Sequence, residues 1–215
     1  MKLFLDTADV EAVRKAQATG LLDGVTTNPS KVVQTGRRFR EVVADICRAT
    51  PGPVSAEAMG ETADALVADA QKIAAIAPNV VVKIPMTVAG LPAARILESQ
   101  HNVRVNVTMV FSATQALLAM KTGASYVSIV LSRLDAVANE SDLLVRDTMA
   151  IKRNYGFRSE IIGASLKTQN HVLSCLRAGV DVATVPDSLF FQMFKHPLTD
   201  LGLAEFATDW AKVPK

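Results

Sequence analysis

Lys83 stands inside the run Val80-Val81-Val82-Lys83-Ile84-Pro85-Met86, which is apolar and short enough to be a buried strand. An ammonium in such a strand is destabilising unless the amine is used. Burial disfavours the charged form of an amine and so favours a neutral nucleophile, the species that forms a Schiff base with a carbonyl compound. The structural alternative is a lysine that snorkels past its strand end or pairs with a carboxylate. The run alone does not separate the two.

Short β-branched segments alternate with longer helical patterns along the whole chain. The candidate strands cover 3–7, 24–28, 54–58, 80–84, 104–110, 126–131, 160–164 and 182–185. Several are hydrophobic on both faces, as parallel strands covered by helices must be, and the alternation implies successive βαβ crossovers. Between Glu61 and Ala77, for example, Leu66, Ala70, Ile73 and Ala77 fall on one helical face, with Asp64 and Lys72 turned elsewhere. Gly20, Gly123 and Gly179 follow helical runs where a left-handed cap is expected, and Pro78 cannot extend the helix before it. Eight such units predict an α/β fold, a single (β/α)8 TIM barrel over residues 1–215, with a doubly wound sheet as the other architecture. Residues 197–215 exceed what closure requires and are expected to form an extra C-terminal helical extension. Leu198, Leu201, Phe206 and Trp210 would serve there either to cover the chain's own barrel or to dock on a neighbouring subunit.

Barrels of this kind carry their chemistry at the carboxyl ends of the strands. Polar residues collect at those ends: Asp6, Asn28, Glu57, Lys83, Asn106, Thr108, Ser128, Arg133, Ser165 and Lys167. Singly, each has an innocent reading. Asp6 or Thr7 would cap the helix starting near Asp9, Asn28-Pro29-Ser30 would be a turn, and Ser165 would cap its own helix. Their shared position at one rim argues for a site.

The chain's 215 residues suit one domain of this type, and a net charge of +2 with 20% charged residues leaves no basic stripe for nucleic acid or an anionic membrane. Small anionic ligands remain compatible. Cys47 and Cys175 lack C-x-x-C spacing and fall in amphipathic helices, which reads as reduced core thiols in a cytoplasmic protein. Met1 runs directly into a strand pattern, so no export or membrane-spanning segment is expected. His101, His171 and His196 are far apart and have no carboxylates at metal-ligand spacing, so a metal-dependent aldolase is disfavoured and surface or capping roles are expected. Lys31, Arg37, Arg38 and Arg40 read as a solvated helix face, with contact to a second phosphate as the alternative.

The segments Leu5-Asp6-Thr7-Ala8-Asp9, Gly24-Val25-Thr26-Thr27-Asn28-Pro29-Ser30, Val54-Ser55-Ala56-Glu57, Val82-Lys83-Ile84-Pro85, Asn106-Val107-Thr108 and Gly163-Ala164-Ser165-Leu166-Lys167-Thr168 resemble the ordered motifs of the transaldolase family. They run from the first strand to the seventh in the family's order. The length is similar to that of its small-subunit branch, which holds transaldolases and fructose-6-phosphate aldolases. The resemblance implies a (β/α)8 barrel, no metal and no cofactor, a cytoplasmic homo-oligomer (pentamer or decamer), and transfer of a dihydroxyacetone unit between sugar phosphates. It makes Lys83 the Schiff-base residue, Asp6 the acid/base for cleavage, and Glu57 with Thr108 the holders of a catalytic water. Asn28, Asn106 and Ser128 would bind the donor's hydroxyls, and Arg133, Ser165 and Lys167 its phosphate.

Glu57 and Asn106 stand where the aldolase branch has glutamine and an aliphatic residue, which favours transaldolase. Val130 departs from both branches, standing where transaldolases carry phenylalanine and the aldolases tyrosine. The lost ring enlarges the expected pocket on one side and bears on acceptor preference, as does Leu166, where an aromatic is common. The alternatives are therefore an aldolase-like enzyme, a transaldolase for a modified ketose, and a phosphosugar-binding barrel without turnover.

Overall fold

A computed structural model describes residues 1–214. Eight parallel strands, β1 (Lys2–Asp6), β2 (Gly24–Thr26), β3 (Val54–Glu57), β4 (Val80–Pro85), β5 (Val105–Val110), β6 (Tyr126–Val130), β7 (Glu160–Ala164) and β8 (Val182–Val185), close into a barrel in sequence order. The doubly wound sheet is thereby replaced, because β1 pairs with β8 from Lys2↔Val182 to Leu5↔Val185. The helices are α1 (Val10–Ala18), α2 (Pro29–Gln34), α3 (Phe39–Ala49), α4 (Ala63–Ala74), α5 (Gly90–Gln100), α6 (Ala113–Lys121), α7 (Ser132–Asp135), α8 (Ser141–Tyr155), α9 (Gln169–Ala178), α10 (Asp187–Gln192) and α11 (Pro197–Trp210). The fold is a TIM-type (β/α)8 barrel with an added C-terminal helix.

Local chemistry sets the helix boundaries. The Thr62 side chain accepts a hydrogen bond from the Ala65 amide at 3.2 Å to start α4, and Ser112 does the same for the Gln115 amide at α6. Gly179 (φ 77°) ends α9 in the left-handed region, a conformation that other residues resist, and Gly20 and Gly123 also take positive φ. The His196 side chain accepts from the Leu198 amide at 3.2 Å, which makes it the cap of α11.

Strand side chains alternate between the barrel interior and the helical layer. Phe4, Val81, Tyr126, Ile162 and Val182 form a buried cluster that plugs the lower interior. Gly24 pairs with Phe4, and a Cβ there would lie 2.7 Å from the Phe4 ring, so the plug requires glycine at this position. Two residues further along the same strands stand Asp6, Thr26, Lys83, Ser128, Ala164 and Thr184. The interior therefore changes from hydrocarbon to polar groups within one pleat repeat. Cys47 and Cys175 are free thiols in the helical layer, where burial pushes them up to about 11 and about 12. Among the described residues, no helix is long and apolar enough to cross a membrane.

Helix α11 buries none of its residues. Leu198, Leu201, Leu203, Phe206 and Trp210 are each more than half exposed. Of the two roles expected for this helix, cover for its own barrel is the one the structure excludes.

Candidate active site

The carboxyl ends of the strands enclose a cavity of about 480 Å³, within the range of small-molecule sites. Asp6, Asn28, Glu57, Lys83, Thr108, Ser128, Arg133 and Ser165 line it, together with Thr26, Lys31, Val130 and Thr184. The strand registers Glu57↔Lys83 and Lys83↔Asn106 bring three of the sequence-predicted residues into one row across β3, β4 and β5.

Lys83 is 8% exposed. Its Nζ donates to the Thr27 carbonyl at 3.0 Å and lies 3.5 Å from Glu57 Oε2. Desolvating an ammonium costs several kcal/mol in real proteins, and such an ion pair rarely returns more than that. The pair is therefore poorly explained by stability. Thr108 reaches the cavity through an irregularity in β5, where the pairing with β6 shifts between Val107 and Val110 and Met109 takes φ 62°. Bulges of this kind re-aim side chains beside active sites. Ser165 is also left-handed, at φ 57°, with its hydroxyl 2.7 Å from that of Ser132. Non-glycine residues hold this conformation at a cost of roughly 1–2 kcal/mol, and here two of them border one cavity.

The innocent readings resolve differently for each residue. Asp9, not Asp6 or Thr7, caps α1 by accepting from the Glu11 amide at 2.9 Å. Asp6 is left facing the cavity, where its Oδ1 accepts from the Thr26 hydroxyl at 3.1 Å and its Oδ2 lies 3.4 Å from Lys31 Nζ. Asn28 does cap α2, its Oδ1 accepting from the Lys31 amide at 3.0 Å, yet it still lines the cavity. Ser165 caps nothing, since the cap of α9 is Thr168.

Asn106 is fully buried beneath the lining, donating to Ser55 Oγ at 3.2 Å and accepting from Ser128 Oγ at 2.8 Å. It sets the orientation of Ser128 rather than the cavity wall. Lys167 lies outside the lining, its backbone amide donating to His171 Nδ1 at 3.1 Å. Leu166 is 1% exposed and packs in the core below the Ser165 turn, so it does not shape the cavity as expected. Val130 does. Arg133 has Met109 Sδ, at 3.9 Å, as its hydrogen-bond contact among the described residues, which leaves its guanidinium open to an anion.

Sequence reasoning missed Lys31, Thr26 and Thr184. The two threonines share a 2.7 Å hydrogen bond and continue the chain that begins at Asp6. The signal that could have found them is the two-residue step from the apolar plug: Gly24 to Thr26 and Val182 to Thr184. Lys31 was grouped with Arg37 and Arg38, but those pair with Asp45 and Glu41 on the outside while Lys31 turns inward.

His171 links the Arg133 and Ser165 segments. Its Nε2 lies 2.8 Å from Asp135 Oδ2 on α7 while its Nδ1 accepts from the Lys167 amide. Burial works against charge on Asp135, but hydrogen bonds from Ser141 and His171 hold its carboxyl below the usual range. A lowered carboxyl stabilises above its ordinary range and loses that contribution as pH falls through the lowered value. His171→Ala is expected to weaken binding of an anion beside Arg133 and Ser165 several-fold, checked by titration with inorganic phosphate. Acidification through the carboxylate range should weaken that binding as well in the parent chain.

Among the described residues, no three His, Cys, Asp or Glu side chains gather so as to hold a metal ion.

The family model described as Transaldolase/Fructose-6-phosphate aldolase matches residues 3–214. "Probable transaldolase 1" of Listeria monocytogenes is 48% identical over 215 residues, covering all of both chains. "Probable transaldolase" of Caulobacter vibrioides is 48% identical over 211 residues, covering 98% of this chain and 97% of the relative. Among solved structures, a thiamine phosphate pyrophosphorylase from Pyrococcus furiosus superposes with a TM-score of 0.62 over 88% of this chain and 87% of that one. At 16% identity, that likeness concerns the barrel alone. On the full-length family match and these relatives, the chain belongs to the transaldolase/fructose-6-phosphate aldolase family.

Proposed function

We propose that this enzyme is a class I transaldolase that moves a dihydroxyacetone unit from sedoheptulose 7-phosphate or fructose 6-phosphate to glyceraldehyde 3-phosphate or erythrose 4-phosphate. The observation that carries the reading is the Lys83 amine, buried at the cavity floor 3.5 Å from Glu57 with Asp6 and Thr108 on the same wall system. Passing the ammonium proton to Glu57 leaves a neutral amine, which attacks the ketone at C2 of the donor. Glu57 and a water held by Thr108 then return protons as the carbinolamine loses water, giving an iminium ion. Asp6 takes the proton from the C4 hydroxyl, the C3–C4 bond breaks, and its electron pair moves to the iminium nitrogen. The enamine stays bound, with Asn28 and Ser128 on its hydroxyls and Asn106 steadying Ser128, until an aldehyde adds to C3. Hydrolysis then frees Lys83. Arg133 and Ser165 hold the terminal phosphate, with Lys167 contributing charge from outside the lining.

Val130 supports a second feature of the reading. A valine at this wall, 6% exposed, leaves room where the two branches of the family carry a ring, which suits donors or acceptors with an added substituent. The test is turnover of fructose 6-phosphate with and without erythrose 4-phosphate. A transaldolase needs the acceptor; release of glyceraldehyde 3-phosphate at an equal rate without it would make the enzyme an aldolase.

Residues 1–215 act as one domain, 197–215 being its extension, in a cytoplasmic homo-oligomer of five or ten chains. The uncovered apolar side of α11 supports the oligomer. Leu201→Asp combined with Phe206→Asp is expected to convert it to monomer in light scattering, with the barrel's circular dichroism unchanged. A dispersed parent chain would refute the assembly.

A further inference from the structure

The cavity contains two lysine–carboxylate pairs, and the Schiff-base reading uses only one. Lys83 pairs with Glu57 on β4 and β3; Lys31 pairs with Asp6 across α2 and β1. The second pair is built from several directions. The Asn28 side chain fixes the first turn of α2 by holding the Lys31 amide at 3.0 Å. The ammonium then meets Asp6 Oδ2 at 3.4 Å, while Oδ1 is held by Thr26, itself tied to Thr184. Both oxygens of the carboxylate are therefore restrained. The Lys31 and Asp6 side chains are 27% and 21% exposed, and ion pairs with that much solvent contribute little to stability.

Lys31 is also badly placed to bind the donor's phosphate. It follows β2, whereas Arg133 and Ser165 follow β6 and β7, and β2 and β6 stand opposite each other in the closed eight-strand order. A ketose attached to Lys83 with its phosphate at Arg133 presents its middle carbons, not its anionic end, to the Asp6 wall.

We propose that Lys31 is a positioning residue for the carbon–carbon bond step, resting on the Schiff-base reading of Lys83. It holds Asp6 aimed so that one carboxylate oxygen accepts the C4 hydroxyl proton. As that proton moves to Asp6, the C3–C4 pair flows to the iminium nitrogen and the C4 oxygen becomes the aldehyde carbonyl. The ammonium keeps its own proton throughout. Formation of the iminium, which occurs on the Glu57 side, does not require Lys31.

The test compares the wild-type chain with Lys31→Met and Lys31→Arg, using steady-state kinetics with fructose 6-phosphate and erythrose 4-phosphate, and borohydride trapping followed by peptide mass spectrometry. Misplacing a reacting group by about an ångström costs roughly 100-fold, so Lys31→Met should lower kcat by about that factor while KM stays within about threefold. The trapped adduct on Lys83 should shift from three carbons in the wild type to the uncleaved six-carbon ketose phosphate. Lys31→Arg should restore most of kcat. Should Lys31→Met fold poorly, Lys31→Gln makes the same comparison. The proposal is overturned if the uncharged variant keeps wild-type kcat, if only KM rises, or if its adduct remains three carbons long. A wild-type chain with no adduct on Lys83 overturns the Schiff-base reading as well, so the two failures are distinguishable.

Discussion

Lys83→Met is expected to reduce transaldolase turnover by at least about 10⁴-fold, the scale on which removing a covalent nucleophile acts. The protein should remain folded, and its thermal midpoint should hold or rise. Lys83 has two polar contacts, to the Thr27 carbonyl and Glu57, and replacing a buried charge by a flexible apolar side chain of similar length is often neutral or stabilising. Glu57, with its side chain 17% exposed at the cavity edge, can be hydrated once its partner is gone. A structural lysine predicts the opposite pair of results, a lower midpoint with activity falling only in proportion to the folded fraction. Thermal unfolding and kinetics on the same sample separate the two.

Asp6→Asn is expected to lower kcat by about 10²- to 10⁴-fold, the usual contribution of a general acid or base. An asparagine oxygen can still accept from Thr26, so the local hydrogen-bond chain survives while the proton acceptor is lost. The block then falls after iminium formation and before cleavage. Borohydride should trap the full-length ketose phosphate on Lys83, and rapid-quench kinetics should show adduct forming at the parent rate. Accumulation of free enzyme without adduct would instead place Asp6 in the formation of the iminium.

The barrel was legible because its demands are periodic. Strands covered by helices on one side and a packed interior on the other must be apolar on both faces, which is why β4, β6 and β8 stood out as runs. The shortest strand, β2, was read two residues too long, because Thr27 continues the apolar pattern while Asn28 has already left it to cap α2. Lys83, Asp6 and Glu57 were legible as polar residues at strand ends. Lys31 was not, since its neighbours in sequence are solvated arginines and its inward turn depends on the Asn28 cap. Leu166 was misplaced for a related reason. The left-handed Ser165 reverses the expected side of the residue after it, and a single positive φ leaves no periodic trace. Helix α11 could be predicted as a helix but not given a partner, because its apolar residues finish in solvent within one chain.

The most direct test of the account is to incubate the protein with fructose 6-phosphate, reduce with borohydride, and map the modified peptide by mass spectrometry. The account predicts one three-carbon adduct, on Lys83 and absent from Lys31, the other lysine lining the cavity. An unmodified Lys83 in a sample that turns over the sugar, or an adduct carried by Lys31 instead, would contradict it.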